Sequence, residues 1–216
     1  MANEQRYYGE AEYPQGMVTQ EALMQLSPGK ENWYKATSTQ YFDADSLSFL
    51  WKAKVRKGLF IIRGTDQLKE GTGKMIMKLF AILPVVNASG EKLDEATLQR
   101  FLSEIVWFPL AALYPYISWR EVDENCAEAT LVCEGKTVKG TFTFDADGDF
   151  QSFSTLRYKD NEPGSERIPW IIEAEEYGAF HGIRIPTLST VTWQLEKQDW
   201  TWLKMRVTGI DYNPAV

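Results

Sequence analysis

The amino-acid sequence predicts an α+β fold: a strongly curved antiparallel sheet, half-barrel or open barrel, of about nine to eleven strands, with one main helix at about 94–114 packed on its concave side. Three observations carry this. Period-two alternation of apolar and polar residues recurs through most of 33–212. Short Gly- and Asp-containing turns join the segments, which is hairpin rather than crossover chemistry. One stretch, Leu93–Pro115, breaks the alternation with helical spacing. A one-faced sheet with so many strands is expected to curl around such a helix.

Taken in order, residues 1–32 read as a polar segment wrapping the surface, with a short helix over Val18–Leu26 stopped by Ser27-Pro28-Gly29. From Trp33 the period changes to two. In 47–55, Leu47, Phe49, Trp51, Ala53 and Val55 alternate with Ser48, Lys52 and Lys54, and Lys57-Gly58 turns the chain into a strand at 59–65. Asp66–Gly73 reads as a loop, followed by alternating Met75, Met77 and Leu79 and the apolar run 79–86. After the helix, strands are expected near 117–122, 126–134, 137–144, 150–158, 168–177, 188–195 and 200–212, with Gly135-Lys136 and Asp145–Asp149 as hairpin turns. With no repeat or linker, 1–216 is expected to form a single domain, the sheet and helix occupying 33–212.

In the helix, Asp94 is the expected N-cap, with Leu93 stapling onto Leu98. Leu98, Phe101, Leu102, Ile105 and Pro109 fall on one face; Thr97, Arg100, Glu104, Trp107 and Ala111 form a stripe on the other. Pro109 lacks an N–H and should kink or end the helix.

Net charge is −7, which argues against nucleic acid or an anionic membrane surface as partner unless a local basic patch exists. The first residues, MANEQRYYGE, have no apolar core of a signal peptide, and the apolar run 105–114 is too short to span a bilayer. Cys126 and Cys133 would lie about 23 Å apart on one strand, beyond disulfide reach. Unbridged thiols fit a reducing compartment. A soluble, cytoplasmic chain is therefore expected, with a periplasmic or membrane-attached location only if an N-terminal segment has been removed.

Motifs for common chemistries do not assemble. Lys69–Lys74 resembles a phosphate loop, but Leu68 and Met75 stand where Gly and Ser or Thr are needed, so a Gly turn is the better reading. Asp145, Asp147 and Asp149 resemble a calcium loop, but Gly148 comes too early and Leu156 replaces the closing Glu. His181, the sole histidine, lies in a turn without a nucleophile elbow, and one His with two distant Cys does not build a zinc site. No metal or cofactor is expected.

The helix stripe offers more. Arg100 and Glu104 stand at i, i+4, ordinarily a wet pair, yet Trp107 follows on the same stripe and suits water poorly. A helix covered on both sides would bury the pair and demand further hydrogen-bond partners. Arg157 and Tyr158, on an expected strand, are the candidates. Arg100, Glu104, Trp107, Arg157 and Tyr158 are accordingly the expected ligand-binding residues, a polar floor for the concavity.

The run Leu98–Pro109 (LQRFLSEIVWFP) resembles the signature of a bacterial family of unknown function. Trp51–Val55, Gly71–Met75, Arg157-Tyr158, Gly182–Thr187 (GIRIPT) and Val191–Trp193 (VTW) agree in order, covering most of 33–212. That resemblance implies no activity or catalytic residues. More loosely, the strand-then-helix order is similar to lipoprotein carriers of the LolA and LppX type, which implies a curved half-barrel able to hold acyl chains. The leading functional expectation is therefore a protein that binds a lipid-like or other apolar small molecule in its aromatic-rich concavity. An enzyme using Arg100, Glu104 or His181 in the same cavity, and an interaction module with no cavity, are the alternatives.

Overall fold

A computed structural model of the chain describes residues 15–30 and 32–212. Its strands are β1 (Gln15–Met24), β2 (Tyr34–Asp43), β3 (Ser48–Lys57), β4 (Phe60–Lys69), β5 (Thr72–Leu79) and β6 (Leu83–Ser89), then β7 (Ile117–Asp123), β8 (Cys126–Cys133), β9 (Lys136–Phe144), β10 (Phe150–Tyr158), β11 (Arg167–Phe180), β12 (Ile183–Gln194) and β13 (Asp199–Tyr212). Between β6 and β7 lie helix α1 (Glu91–Glu104) and two 3₁₀ turns, Ile105–Trp107 and Pro109–Leu113. All thirteen strands form one antiparallel sheet in the order β6-β5-β4-β3-β2-β1-β13-β12-β11-β10-β9-β8-β7. Its edges, β6 and β7, do not pair, so the sheet stays open.

Topology forces the curvature. From β1, mid-sheet, the chain meanders out to β6, crosses by α1 to the opposite edge and meanders back to β13. In a flat sheet β5 and β10, eight places apart, would be about 38 Å from each other. Both pack on α1, itself only about 10 Å across. The flanks must therefore curl toward each other with the helix on the concave side. Loop contacts hold them there: Lys136 Nζ donates to Gly71 O at 2.8 Å, and the Tyr116 hydroxyl donates to Ala44 O at 2.7 Å.

From Ala96 onward the helix is covered on every side. Leu98, Phe101 and Leu102 are fully buried, as expected, but so are Thr97 and, nearly, Glu104 and Trp107. Phe42 stacks between Phe101 and Phe108, with ring centroids at 4.5 and 4.4 Å.

Several local expectations are corrected. Val18–Leu26 is no helix: it falls largely in β1, a central strand whose alternate residues Gly16, Val18 and Gln20 are buried between β2 and β13. Pairing on both sides overrides the local helical spacing. Of the expected wrapping segment, residues 1–14 and Glu31 lie outside the described residues. Asp66–Gly73 is not a loop. β4 runs on to Lys69, and Glu70 and Gly71, both at positive φ, make a tight hairpin turn. The helix begins three residues early, with Gly90 at its N-cap, and its regular part ends at Glu104 rather than near 114. Pro109 opens the second 3₁₀ turn. Asp94 is thus inside the helix, where its carboxylate accepts the Gly73 N–H at 2.8 Å and pairs with Lys136 at 3.1 Å.

Gly73 is where β5 touches the helix. A Cβ there would meet Thr97 Oγ1 at 2.5 Å and Leu93 O at 2.9 Å, and the second atom is backbone. Gly73→Ala should push α1 from the sheet and destabilise the chain by about 1–3 kcal/mol, measurable by urea unfolding.

Candidate functional site

Alternation places the even residues of β2 and β4 and the odd residues of β3 on the concave face. Gln40, Asp66, Phe49 and Trp51 therefore face α1, and Arg100 projects among them. Its Nε donates to Glu104 Oε1 at 2.8 Å, Nη1 to Asp66 Oδ2 at 2.7 Å, and Nη2 to Gln40 Oε1 at 2.8 Å. The Gln40 amide donates in turn to Glu104 Oε2 at 2.6 Å. Phe49 and Trp51 lie against the guanidinium at 4.8 and 5.1 Å. Burial alone would lower the Arg100 pKa, but Glu104 and Asp66 outweigh it and raise it, so the charge is fixed.

The expected burial of the Arg100–Glu104 pair is thus met, with different partners from those anticipated: Gln40 and Asp66 complete the network. Tyr158 lies elsewhere, its ring beneath Lys92 and Arg167. Trp107 turns away from Arg100, donating its indole N–H to Pro186 O at 3.2 Å, while its own carbonyl accepts the Tyr212 hydroxyl at 2.9 Å. Arg157 stacks on Trp170 at 4.3 Å, with Trp193 at 5.9 Å. Its Nε is buried without a hydrogen-bond partner, and so is Asp66 Oδ1. Burial pushes the Arg157 pKa down to about 10, partly offset by Asp66, so it remains charged at neutral pH. His181 sits exposed in the β11–β12 turn, beside the Tyr212 ring and apart from the Arg100 network.

Of the two added partners, Asp66 has a signal in the sequence. Asp66 keeps register with Ile62 and Leu68, an acidic residue on an otherwise apolar strand face.

A second feature was not foreseen. A groove of about 1030 Å³ opens on the concave side, between the 3₁₀ segment 105–113 and the inner faces of β7–β9 and the β11–β12 end. Val106, Leu113, Trp119, Phe142, Phe144 and Ile183 wall it. Leu113 and Trp119 are left exposed, and the Trp119 indole donates to Ala112 O at 2.9 Å across the mouth. Asp147, Asp149 and Arg184 stand at the rim, with Arg184 paired to Asp149 at 2.6 Å. That pair occupies part of the acidic turn.

A curved open sheet holding one helix on its concave side defines a half-barrel of the LolA type. The chain is similar over 95% of its length to 89% of a LolA superfamily protein, NE2245 from Nitrosomonas europaea, with a TM-score of 0.53 at 8% identity, a likeness of fold alone. Residues 5–205 match a family of unknown function, DUF6544, and the chain belongs to that family. No curated protein matches it. Among the described residues, no helix is long and apolar enough to cross a membrane.

Proposed function

We propose that the protein binds one apolar or amphiphilic small molecule, of fatty-acid or similar lipid character, in the groove beside residues 105–113. The carrying observation is the groove itself, whose volume and aromatic walls suit a lipid-sized ligand with few polar contacts. The half-barrel fold agrees with this reading. The Arg100–Glu104 network serves it indirectly, pinning the end of α1 so that the 3₁₀ segment is held over β7–β9. Trp107, bonded to Pro186, fixes the same segment from beneath.

Dodecanoate should quench or shift Trp119 emission saturably. Ala112→Trp, which fills the groove from its wall, should weaken binding about tenfold or more with little change in melting temperature. Unchanged affinity in that variant would remove the groove as the site.

A second reading rests on Arg157 and Asp66, whose unpartnered donor and acceptor on the concave side would be satisfied by a head group carrying both functions. Here Arg157, with Tyr158 near it in sequence, would hold the ligand. Arg157→Met should then weaken dodecanoate more than dodecanol, whereas under the groove reading it should leave both alone.

A further inference from the structure

On the convex face of β3, β4 and β5, Lys54 stands directly across from Arg63, and Arg63 directly across from Lys78. Lys35 and Arg56 are likewise opposite each other on β2 and β3. Like charges facing across strands oppose pairing. Among the described residues none of these five makes an ion pair within 4.0 Å. In a chain of net charge −7, residues 52–78 carry eight Lys and Arg against two acids, and one of those, Asp66, is consumed inside by Arg100. Lys54, Arg63 and Lys78 line a shallow depression of about 610 Å³ with the threonines 37, 39 and 65.

The neighbouring tip is apolar. Leu79–Val86 is eight apolar residues in a row, and the chain uses them for an exposed hairpin turn. Leu59 is 93% and Ile82 77% exposed, with Phe60, Phe80 and Leu83 at least half exposed beside them. Phe80 and Ala81 both take positive φ, a strained choice where Gly or Asn would serve at lower cost. Such an exposed apolar run marks an interaction site or an aggregation liability.

We propose that this end of the sheet docks on an anionic lipid bilayer, the 59–60 and 80–83 tips entering the interface and the Lys54–Arg63–Lys78 row meeting lipid phosphates. Geometry suits this: Arg63 lies three positions beyond Phe60, about 10 Å along the strand, close to the depth of the head-group layer. Charge decides against a second copy as occupant. A two-fold dimer through this patch would set one basic row near the other. Edge-to-edge pairing is blunted because Pro84 of edge strand β6 has no N–H and a bulge lies beside it. The inference does not depend on the groove ligand.

The test is vesicle co-sedimentation at low salt. The chain should pellet with phosphatidylcholine vesicles containing about 30 mol % phosphatidylglycerol and detach at about 0.5 M salt. Lys54→Gln/Arg63→Gln/Lys78→Gln should weaken binding about 100-fold. Leu59→Asp/Ile82→Asp should also abolish pelleting, while Arg120→Gln/Lys139→Gln on the opposite flank, β7–β9, should leave it intact. Circular dichroism would show each variant folded. Equal binding to phosphatidylcholine alone, no pelleting at all, or insensitivity to the triple substitution would overturn the proposal. So would a concentration-dependent dimer in sedimentation velocity that Leu59→Asp/Ile82→Asp abolishes.

Discussion

Arg100→Met should lower folding stability by about 3–5 kcal/mol in urea unfolding. The substitution preserves apolar bulk but strands two buried carboxylates, Asp66 and Glu104, whose shared cation is gone. It also leaves the Gln40 carbonyl without its donor. Glu104→Gln should cost less, about 1–3 kcal/mol, because Asp66 still neutralises Arg100 and an amide replaces the carboxylate. Glu176→Gln provides the contrast. Its partner Arg206 lies at 2.7 Å, as close as Asp66 lies to Arg100, yet both side chains are about half exposed. That loss should stay below about 1 kcal/mol. Equal small losses at Arg100 and Glu176 would mean that the helix stripe faces water.

Phe42→Ala should cost about 3–5 kcal/mol. The ring is 2% exposed and sandwiched between Phe101 of α1 and Phe108, so its loss leaves a cavity bounded by three separate parts of the chain. Phe42→Leu refills most of that space and should recover much of the loss. Phe80→Ala, at the exposed tip, should fall within about 0.5 kcal/mol, so the pair separates ring burial from ring chemistry. Thermal unfolding of the three variants side by side is the check.

The same elements explain what could be read from sequence. Strands such as 137–144 were legible because one face is buried and the other wet, so Val138 and Phe142 alternate with Thr137 and Lys139. β1 was not, because it is paired on both sides mid-sheet and its buried positions include Gly16 and Gln20, which break an apolar alternation. The burial of Arg100 and Glu104 was legible from Trp107 alone, although Trp107 itself bonds elsewhere. Their partners were not, since Gln40 and Asp66 are 60 and 34 residues away from Arg100 in sequence. Taking 66–73 as a loop removed Asp66 from the strand face where its role shows. The groove was illegible for a related reason: its walls come from the 3₁₀ segment and from strands whose convergence depends on the curl of the whole sheet. Net charge misled in the opposite direction, averaging away the basic rows of β2–β5.

Ligand binding in the groove beside residues 105–113 is open to a direct test. The chain has 8 Trp, each with its own indole N–H resonance, and they sample distinct environments. A ¹⁵N-labelled sample titrated with dodecanoate, with Trp119 assigned through Trp119→Phe, reads them all at once. The expected result is a saturable shift of the Trp119 indole, which donates to Ala112 O at the groove mouth, with Trp200 and Trp202 unmoved. Eight unmoved indole signals, or shifts confined to Trp170 and Trp193 beside Arg157, would contradict it.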